Sequence, residues 1–436
     1  MSLNYGQKVC FDAAMGGENL FISGPGGTGK SFVLEAITEE FRARKIRFSV
    51  AASTGVAALN VGGVTIHSFL GTGIKGSVDS VKLLLGTKAF NYAVERLLYL
   101  DCLIIDEISM LSGDYLEMVN FWMQQTRSEY KEPFGGCQVI LCGDFLQLPP
   151  VEKGKAPQWK FAFQAPCWER ADFKCVDLHH SFRQEDQRFV NALNKVRFGQ
   201  YTKEVRKVFR ECIGRELEDP MYLVATNQEA DSINLSKLRA FEGTEYKCKP
   251  TFEAHKAAIK RKPDWFNDLK NKILRDSLAD SPLRLKVGVP VLMLKNTPGQ
   301  FVNGSRGIVQ KINLNKHGEI DTVDVKLDTG SVVGVLPAEW KRLDADGIPE
   351  ITMRHFPMRL AWSSTIHKSQ GLTLNNVQID PSEIFAPGQV YVALSRLKSL
   401  EGMSLTDAID PSVVKADPDL VSFYDKLIIE GKGEAL

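Results

Sequence analysis

The chain has 436 residues, 44% of them hydrophobic and 25% charged, which describes a globular protein with room for two or three domains. Its 54 basic and 53 acidic side chains leave a formal net charge of +1, which excludes a uniformly basic nucleic-acid binder; any such surface has to be local. Eight cysteines form no C-x-x-C pair and none sits with histidine at zinc spacing, so they read as core packing in a reduced compartment. With no run of 18 apolar residues and no secretory or transit pattern, a cytosolic, nucleoid-associated protein without a membrane partner is expected.

In chain order, residues 3–7 lead into a helical stretch reaching about residue 15. Gln7 is either a solvated glutamine or, because an amide pairs bidentately with N6 and N7 of adenine, an adenine reader. Leu20, Phe21 and Ile22 form a short buried strand, and Val33, Leu34, Ile37 and Phe41 follow at helical spacing. Between them residues 24–31, GPGGTGKS, match G-x-x-x-x-G-K-[ST] without a mismatch, in the strand–turn–helix context the motif requires. In such a loop, here Gly26, Gly27, Thr28 and Gly29, backbone N–H groups curl around phosphate oxygens at the positive end of a helix. Lys30 adds a point charge at the β- and γ-phosphates, and the Ser31 hydroxyl can ligate Mg²⁺.

Residues 47–52 read as a second buried strand ending in Ser53-Thr54-Gly55. The alternating stretch Val64-Thr65-Ile66-His67-Ser68-Phe69 fits either a phosphate-backbone and base-stacking surface or an edge hairpin with satisfied polar groups, and taken alone it favours the hairpin. Leu103, Ile104 and Ile105 run into Asp106 and Glu107, and ligands bind beyond the carboxyl ends of such parallel strands. Asp106 is placed to hold Mg²⁺ through water, and Glu107 to orient and deprotonate an attacking water. Residues 139–144 form a further strand, after which Gln147 can sense a γ-phosphate.

The second half opens near residue 175 with a short strand, then His179, His180 and Arg183, a guanidinium able to fork onto phosphate. Adjacent histidines on a strand point to opposite faces and make a poor metal pair. Between residues 227 and 281 the pattern is basic and helical, with Lys256, Lys260, Arg261, Lys262, Lys270, Lys272 and Arg275 around Trp265 and Phe266; a solvated insertion is favoured over a nucleic-acid contact. From 287 to 335 the period switches to two, as in a small antiparallel barrel. Residues 359–372 are the most polar-dense stretch, and residues 390–396 read as a helix ending in an isolated Arg396. The mildly acidic tail after residue 417 carries no signal.

GPGGTGKS, ASTGVAA with THSF, DEISM, GDFLQLPP, SFRQ, STIHKSQGLTL and YVALSR occur in one order over roughly residues 7–403. This constellation resembles the superfamily 1B helicases, and more narrowly the petite-integration-frequency (PIF) family of 5′→3′ DNA helicases; residues 111–134 are similar to that family's signature insert. The resemblance implies an α/β fold of two RecA-like P-loop lobes, parallel sheets flanked by helices. The first lobe would comprise residues 1–63 and 81–172, with a β-hairpin wedge at 64–80. The second would comprise 173–228, 281–296 and 352–436, with a helical insertion at 229–280 and an SH3-like barrel at 297–351.

It further implies ATP stacked near Gln7, with its phosphates on Gly26, Gly27, Thr28, Gly29, Lys30, Ser31 and Gly371, and Mg²⁺ on Ser31 and Asp106. Glu107 would be the base, Gln147 and Gln370 would read the γ-phosphate, and Arg183 and Arg396 would be finger arginines from the second lobe. Single-stranded DNA would lie on Thr54, Thr65, His67, Ser68, Phe69, Thr365, His367 and Lys368. Tailed duplexes, G-quadruplexes and RNA–DNA hybrids are the implied substrates, in replication, repair, recombination or telomere maintenance, and a monomer is expected in solution. A nucleotide-switched binding protein that does not unwind, and an RNA-preferring helicase, stay open as alternatives.

Overall fold

Strands in the first half of the chain are apolar at consecutive positions, and the fold uses both of their faces. β1 (Leu20–Ser23), β2 (Phe48–Ala52), β3 (Val64–Thr65), β4 (Cys102–Asp106), β5 (Gln138–Cys142) and β6 (Lys174–Asp177) form one sheet in the order β3-β2-β4-β5-β1-β6, with every pairing parallel. Because side chains alternate along a strand, Leu20, Ile22, Cys102, Ile104, Ile140 and Cys142 face one core with Val33, Ile37 and Phe41 of α2 (Lys30–Ala43) and Cys10 and Ala13 of α1 (Tyr5–Met15). Phe21, Leu103, Ile105, Val139 and Leu141 face the other, against Leu116, Val119 and Trp122 of the helix Gly113–Arg127.

The computed structural model describes residues 3–53, 57–58, 64–72, 77–150, 156–254, 263–297, 299–301, 303–343 and 349–429. They fall into two units. The first takes residues 1–212, 384–400 and 408–436, and the second 213–383 and 401–407. The expected opening of the second lobe at residue 173 is therefore corrected. β6 pairs with β1 from Leu20↔Lys174 to Ser23↔Asp177, and without it β1 would be an open edge. The C-terminal helix Pro418–Ile429, where the sequence carries no signal, buries Leu420, Tyr424 and Leu427 in the first unit's core, and Phe423 stacks on Phe163 with centroids 4.1 Å apart.

The hairpin wedge expected at 64–80 is also corrected among the described residues. Val64 and Thr65 pair in parallel with β2, and Ile66–Leu70 is a helix. Ile66, Phe69 and Leu70 stand three and four residues apart and are all buried, so helical spacing prevails over the period-two reading. Trp122 fixes this helix by donating its indole N–H to the Leu70 carbonyl at 3.0 Å.

In the second unit the strands are β7 (Met221–Val224), β8 (Tyr246–Cys248), β9 (Thr251–Ala254), β10 (Leu283–Leu285), β11 (Pro290–Met293), β12 (Arg306–Leu314), β13 (Ile320–Leu327), β14 (Val332–Val335), β15 (Ala338–Leu343), β16 (Pro349–His355), β17 (Met358–Leu360), β18 (Ser363–Thr365), β19 (Val377–Ile379) and β20 (Met403–Leu405). A parallel sheet β18-β7-β19-β20 carries the residue 365–371 motif on the turn after β18. The antiparallel strands expected at 297–351 are present, divided between the sheets β14-β13-β12-β11-β17 and β15-β16-β9, which recruit β9, β11 and β17 from outside those bounds. The 229–280 insertion is not wholly helical. Beside the helices Asn227–Ala240 and Pro263–Ser277, β8 pairs with β10 and β9 with β16. Lys256, Lys260, Arg261 and Lys262 lie outside the described residues.

Candidate nucleotide site

Parallel pairing brings the carboxyl ends of β1, β4, β5 and β6 to one edge of the first sheet, where ligands of open α/β sheets bind. β1 delivers the phosphate loop. Gly27 and Gly29 adopt φ of +94° and +81°, which only glycine takes without strain, and a Cβ on Gly29 would stand 2.5 Å from the Gln7 amide nitrogen. Gly29 caps α2 without a side-chain acceptor, leaving the first-turn N–H groups directed at the loop. Lys30 Nζ donates to the carbonyls of Gly24 (2.7 Å) and Pro25 (3.0 Å), and the Thr28 hydroxyl donates to Pro25 (2.9 Å). Ser31 is exposed in the first turn of α2. Gln7 is not a solvated glutamine. It is buried, donates to the Thr28 carbonyl at 3.4 Å and accepts from the Asn4 N–H at 3.0 Å, so it braces the loop from α1.

Two guanidinium groups close over this loop. A Cβ on Gly26 would meet Arg396 Nη2 at 3.0 Å and Arg183 Nη1 at 3.2 Å. Arg183 donates to the Ser395 carbonyl at 2.8 Å, and Arg396 to the Val392 carbonyl (2.9 Å) and the Ser395 hydroxyl (2.8 Å). Arg396 follows the helix Gln389–Leu394 and its cap Ser395 instead of ending the helix, and it is 1% exposed. Burial and the neighbouring Arg396 push Arg183 down to about 9, and burial pushes Arg396 down as well. A buried and a half-buried cation, both held by neutral acceptors, make an anion-seeking site. Both arginines fall in the unit that holds the phosphate loop. The Tyr391 hydroxyl accepts from the Gly26 N–H at 3.2 Å.

β4 delivers the acids. The Asp106 carboxylate accepts from the Glu107 N–H at 2.9 Å, and burial pushes Asp106 up against the opposing pull of that N–H, the Cys142 thiol and Lys30. Glu107 has φ of +53°, an uncommon left-handed conformation for a glutamate, of the kind that clusters at functional sites. Burial first, then the Asp106 charge, pushes the Glu107 carboxyl up, while Lys30 and Arg396 draw it back. The oxygen donors Ser31 and Asp106 suit a hard divalent cation, and a carboxylate made costly by burial gains from one.

β5 delivers Asp144 and Gln147. Asp144, 0% exposed, accepts from Arg197 Nη2 at 2.9 Å, the Leu146 N–H at 3.1 Å and the Gln147 amide at 3.3 Å. Arg197 also lies 3.8 Å from Asp177 at the end of β6. The sequence reading passes over Arg197, yet it stands four residues after Leu193 on the apolar face of the helix Gln187–Arg197, a charge where none is expected. Arg197→Leu is expected to destabilise the fold by about 3–5 kcal/mol in urea titration, because it strands buried carboxylates. Asp144 and Tyr391 lie in the motifs GDFLQLPP and YVALSR, and Tyr424 in the acidic tail, with no role assigned to any of them from sequence.

The expected DNA contacts fare unevenly. Thr54 and the Ser68 side chain lie outside the described residues. Phe69 is in the hydrophobic core, where it cannot stack on a base, because its helix turns it inward. The His67 ring lies 4.6 Å from that of Tyr115, and Thr65 is half-buried. In the second unit Thr365 is buried, with its hydroxyl accepting from the Lys368 N–H at 3.2 Å, so it shapes the turn instead of offering a surface. His367 is exposed and Lys368 half-buried; burial and then Arg359 push Lys368 down. Gln370 closes the same turn and Gly371 takes φ of +82°.

Residues 2–208 match the model of the PIF1-like helicase family, and residues 268–312 that of the DNA helicase Pif1 2B domain. The ATP-dependent DNA helicase Pif1 of Bdellovibrio bacteriovorus is 34% identical over 96% of this chain and 90% of its own. The chain belongs to the PIF1-like helicase family. The Danio rerio ATP-dependent DNA helicase PIF1 is 36% identical over 97% of this chain, which spans 63% of that relative's length. Among solved structures, Bacteroides Pif1 in complex with ADP-AlF3 and single-stranded DNA superposes with a TM-score of 0.70 at 30% identity, covering 99% of each chain. As a PIF1-like helicase the chain has the expected α/β architecture, with helices flanking parallel sheets. No described helix of this PIF1-like helicase is long and apolar enough to cross a membrane.

Proposed function

We propose that the chain is an ATP-dependent DNA helicase that moves 5′→3′ along single-stranded DNA and opens tailed duplexes. The observation that carries this reading is the pair of guanidinium groups over Gly26, Arg396 buried and Arg183 half-buried, on the edge where the phosphate loop, Asp106 and Glu107 also end. Phosphoryl transfer needs developing negative charge met by cations, and a binding protein that rarely hydrolyses has no use for two of them. In this reading Gly26, Gly27, Thr28, Gly29 and Lys30 cradle the phosphates, Ser31 and Asp106 hold Mg²⁺, Glu107 is the base and Gln147 senses the γ-phosphate. Gln7 positions the loop beside the base, and Gln370 and Gly371 are assigned on their motif alone. Thr65, His67, His367 and Lys368 are the proposed DNA contacts.

ADP-AlF3 and single-stranded DNA bound to the Bacteroides relative support both ligand classes. Genome maintenance is the proposed setting, with G-quadruplexes and RNA–DNA hybrids as further substrates, acted on by a monomer in the nucleoid. The test is strand separation on 5′- and 3′-tailed DNA and RNA–DNA duplexes side by side. ATP-driven opening of the 5′-tailed DNA, abolished by Lys30→Ala, is expected. Opening solely of the 3′-tailed fork rejects the polarity; ATP consumption with every duplex closed favours the nucleotide-switched binder.

A further inference from the structure

Tyr424 sits on the C-terminal helix, 279 residues from Phe145 and 401 from Ser23 in sequence, yet its hydroxyl ends between the end of β1 and the loop after β5. Its oxygen lies 2.9 Å from the Ser23 hydroxyl, accepts from the Phe145 N–H at 3.3 Å, and donates to Asp144 Oδ1 at 3.4 Å. Ser23 is the last residue of β1 before the phosphate loop; Asp144 and Phe145 begin the loop that carries Gln147. Asp144 in turn accepts from the Gln147 amide, and Arg197 closes the network from the far side, its guanidinium 4.9 Å from the Tyr424 ring centroid. All of these groups are buried.

We propose that Tyr424 is a positioning residue for ATP hydrolysis: its hydroxyl ties Ser23 to the Asp144–Phe145 backbone and so fixes Gln147 relative to the phosphate loop. The inference rests on the nucleotide reading above. A phenol suits this place because one oxygen accepts two hydrogen bonds and donates a third, which Phe, with the same packing, cannot do. Misplacing a γ-phosphate sensor by a fraction of an ångström slows the chemical step while leaving ground-state binding intact.

The experiment is steady-state ATPase of the full chain with saturating single-stranded DNA, for wild type, Tyr424→Phe, Ser23→Ala, Gln147→Ala and the Tyr424→Phe/Gln147→Ala double variant. Tyr424→Phe is expected to lower kcat about tenfold with KM for ATP within about twofold. Ser23→Ala should lower kcat in the same sense. Once Gln147 is gone, the Tyr424→Phe change should add little, since both act through one group. A kcat unchanged in Tyr424→Phe, or the same fractional loss with and without Gln147, overturns the proposal and leaves Tyr424 as packing, even if the melting temperature falls. A wild-type chain that hydrolyses no ATP instead removes the underlying nucleotide reading, which separates the two failures.

Discussion

Arg396→Ala is expected to lower kcat for DNA-stimulated ATP hydrolysis by about 10³–10⁵-fold, the range for loss of a finger arginine. A guanidinium 1% exposed, beside a second guanidinium and over Gly26, is costly to maintain, and the Glu107 and Asp144 charges offset only part of that cost. Its hydrogen bonds to the Val392 carbonyl and the Ser395 hydroxyl orient the fork without neutralising it. Arg396→Lys is expected to recover little of the lost rate, because an ammonium cannot reproduce planar, bidentate contact. ATP affinity should weaken far less than kcat, since the charge to be met grows in the transition state. Phosphate release and fluorescent-nucleotide binding measured on one preparation give both numbers, and wild-type turnover in Arg396→Ala would dismiss the site.

Glu107→Gln is expected to cut kcat by about 10²–10⁴-fold with nucleotide binding retained, the usual contribution of a positioned base. The same variant makes a second, independent prediction. Burial and Asp106 raise the Glu107 carboxyl above its unfolded value of 4.5, so the folded state binds this proton more tightly. The associated stability is fully present below the unfolded value and is lost as pH climbs through the raised one. Glutamine imitates the protonated form at every pH. The melting temperature of Glu107→Gln minus that of wild type, without nucleotide or Mg²⁺, should therefore be larger at pH 8 than at pH 5, by a few degrees. A difference that does not change with pH would mean that Glu107 is solvated as an ordinary glutamate.

Where the chemistry depends on local spacing, the chain could be read directly. GPGGTGKS needs positive φ at Gly27 and Gly29 and a helix immediately after, and Asp106 and Glu107 needed only an apolar run to place them at a strand end. Local spacing is ambiguous where two periods compete. Residues 64–70 alternate in polarity, yet Ile66, Phe69 and Leu70 also stand at helical spacing, and burial against Trp122 selects the helix. For Phe69 that choice converts a proposed stacking surface into core.

The sequence by itself therefore determines the phosphate loop, the acidic strand end, the identity of the two arginines and the α/β class, because each depends on neighbours within a few residues. Tertiary structure alone decides that β6 and the C-terminal helix complete the first unit, that Arg183 and Arg396 meet over Gly26, and that Asp144, Arg197 and Tyr424 form one buried network. Those partners are tens to hundreds of residues apart, and what joins them is the requirement that buried polar groups find partners and that a sheet edge be covered, which no local window contains.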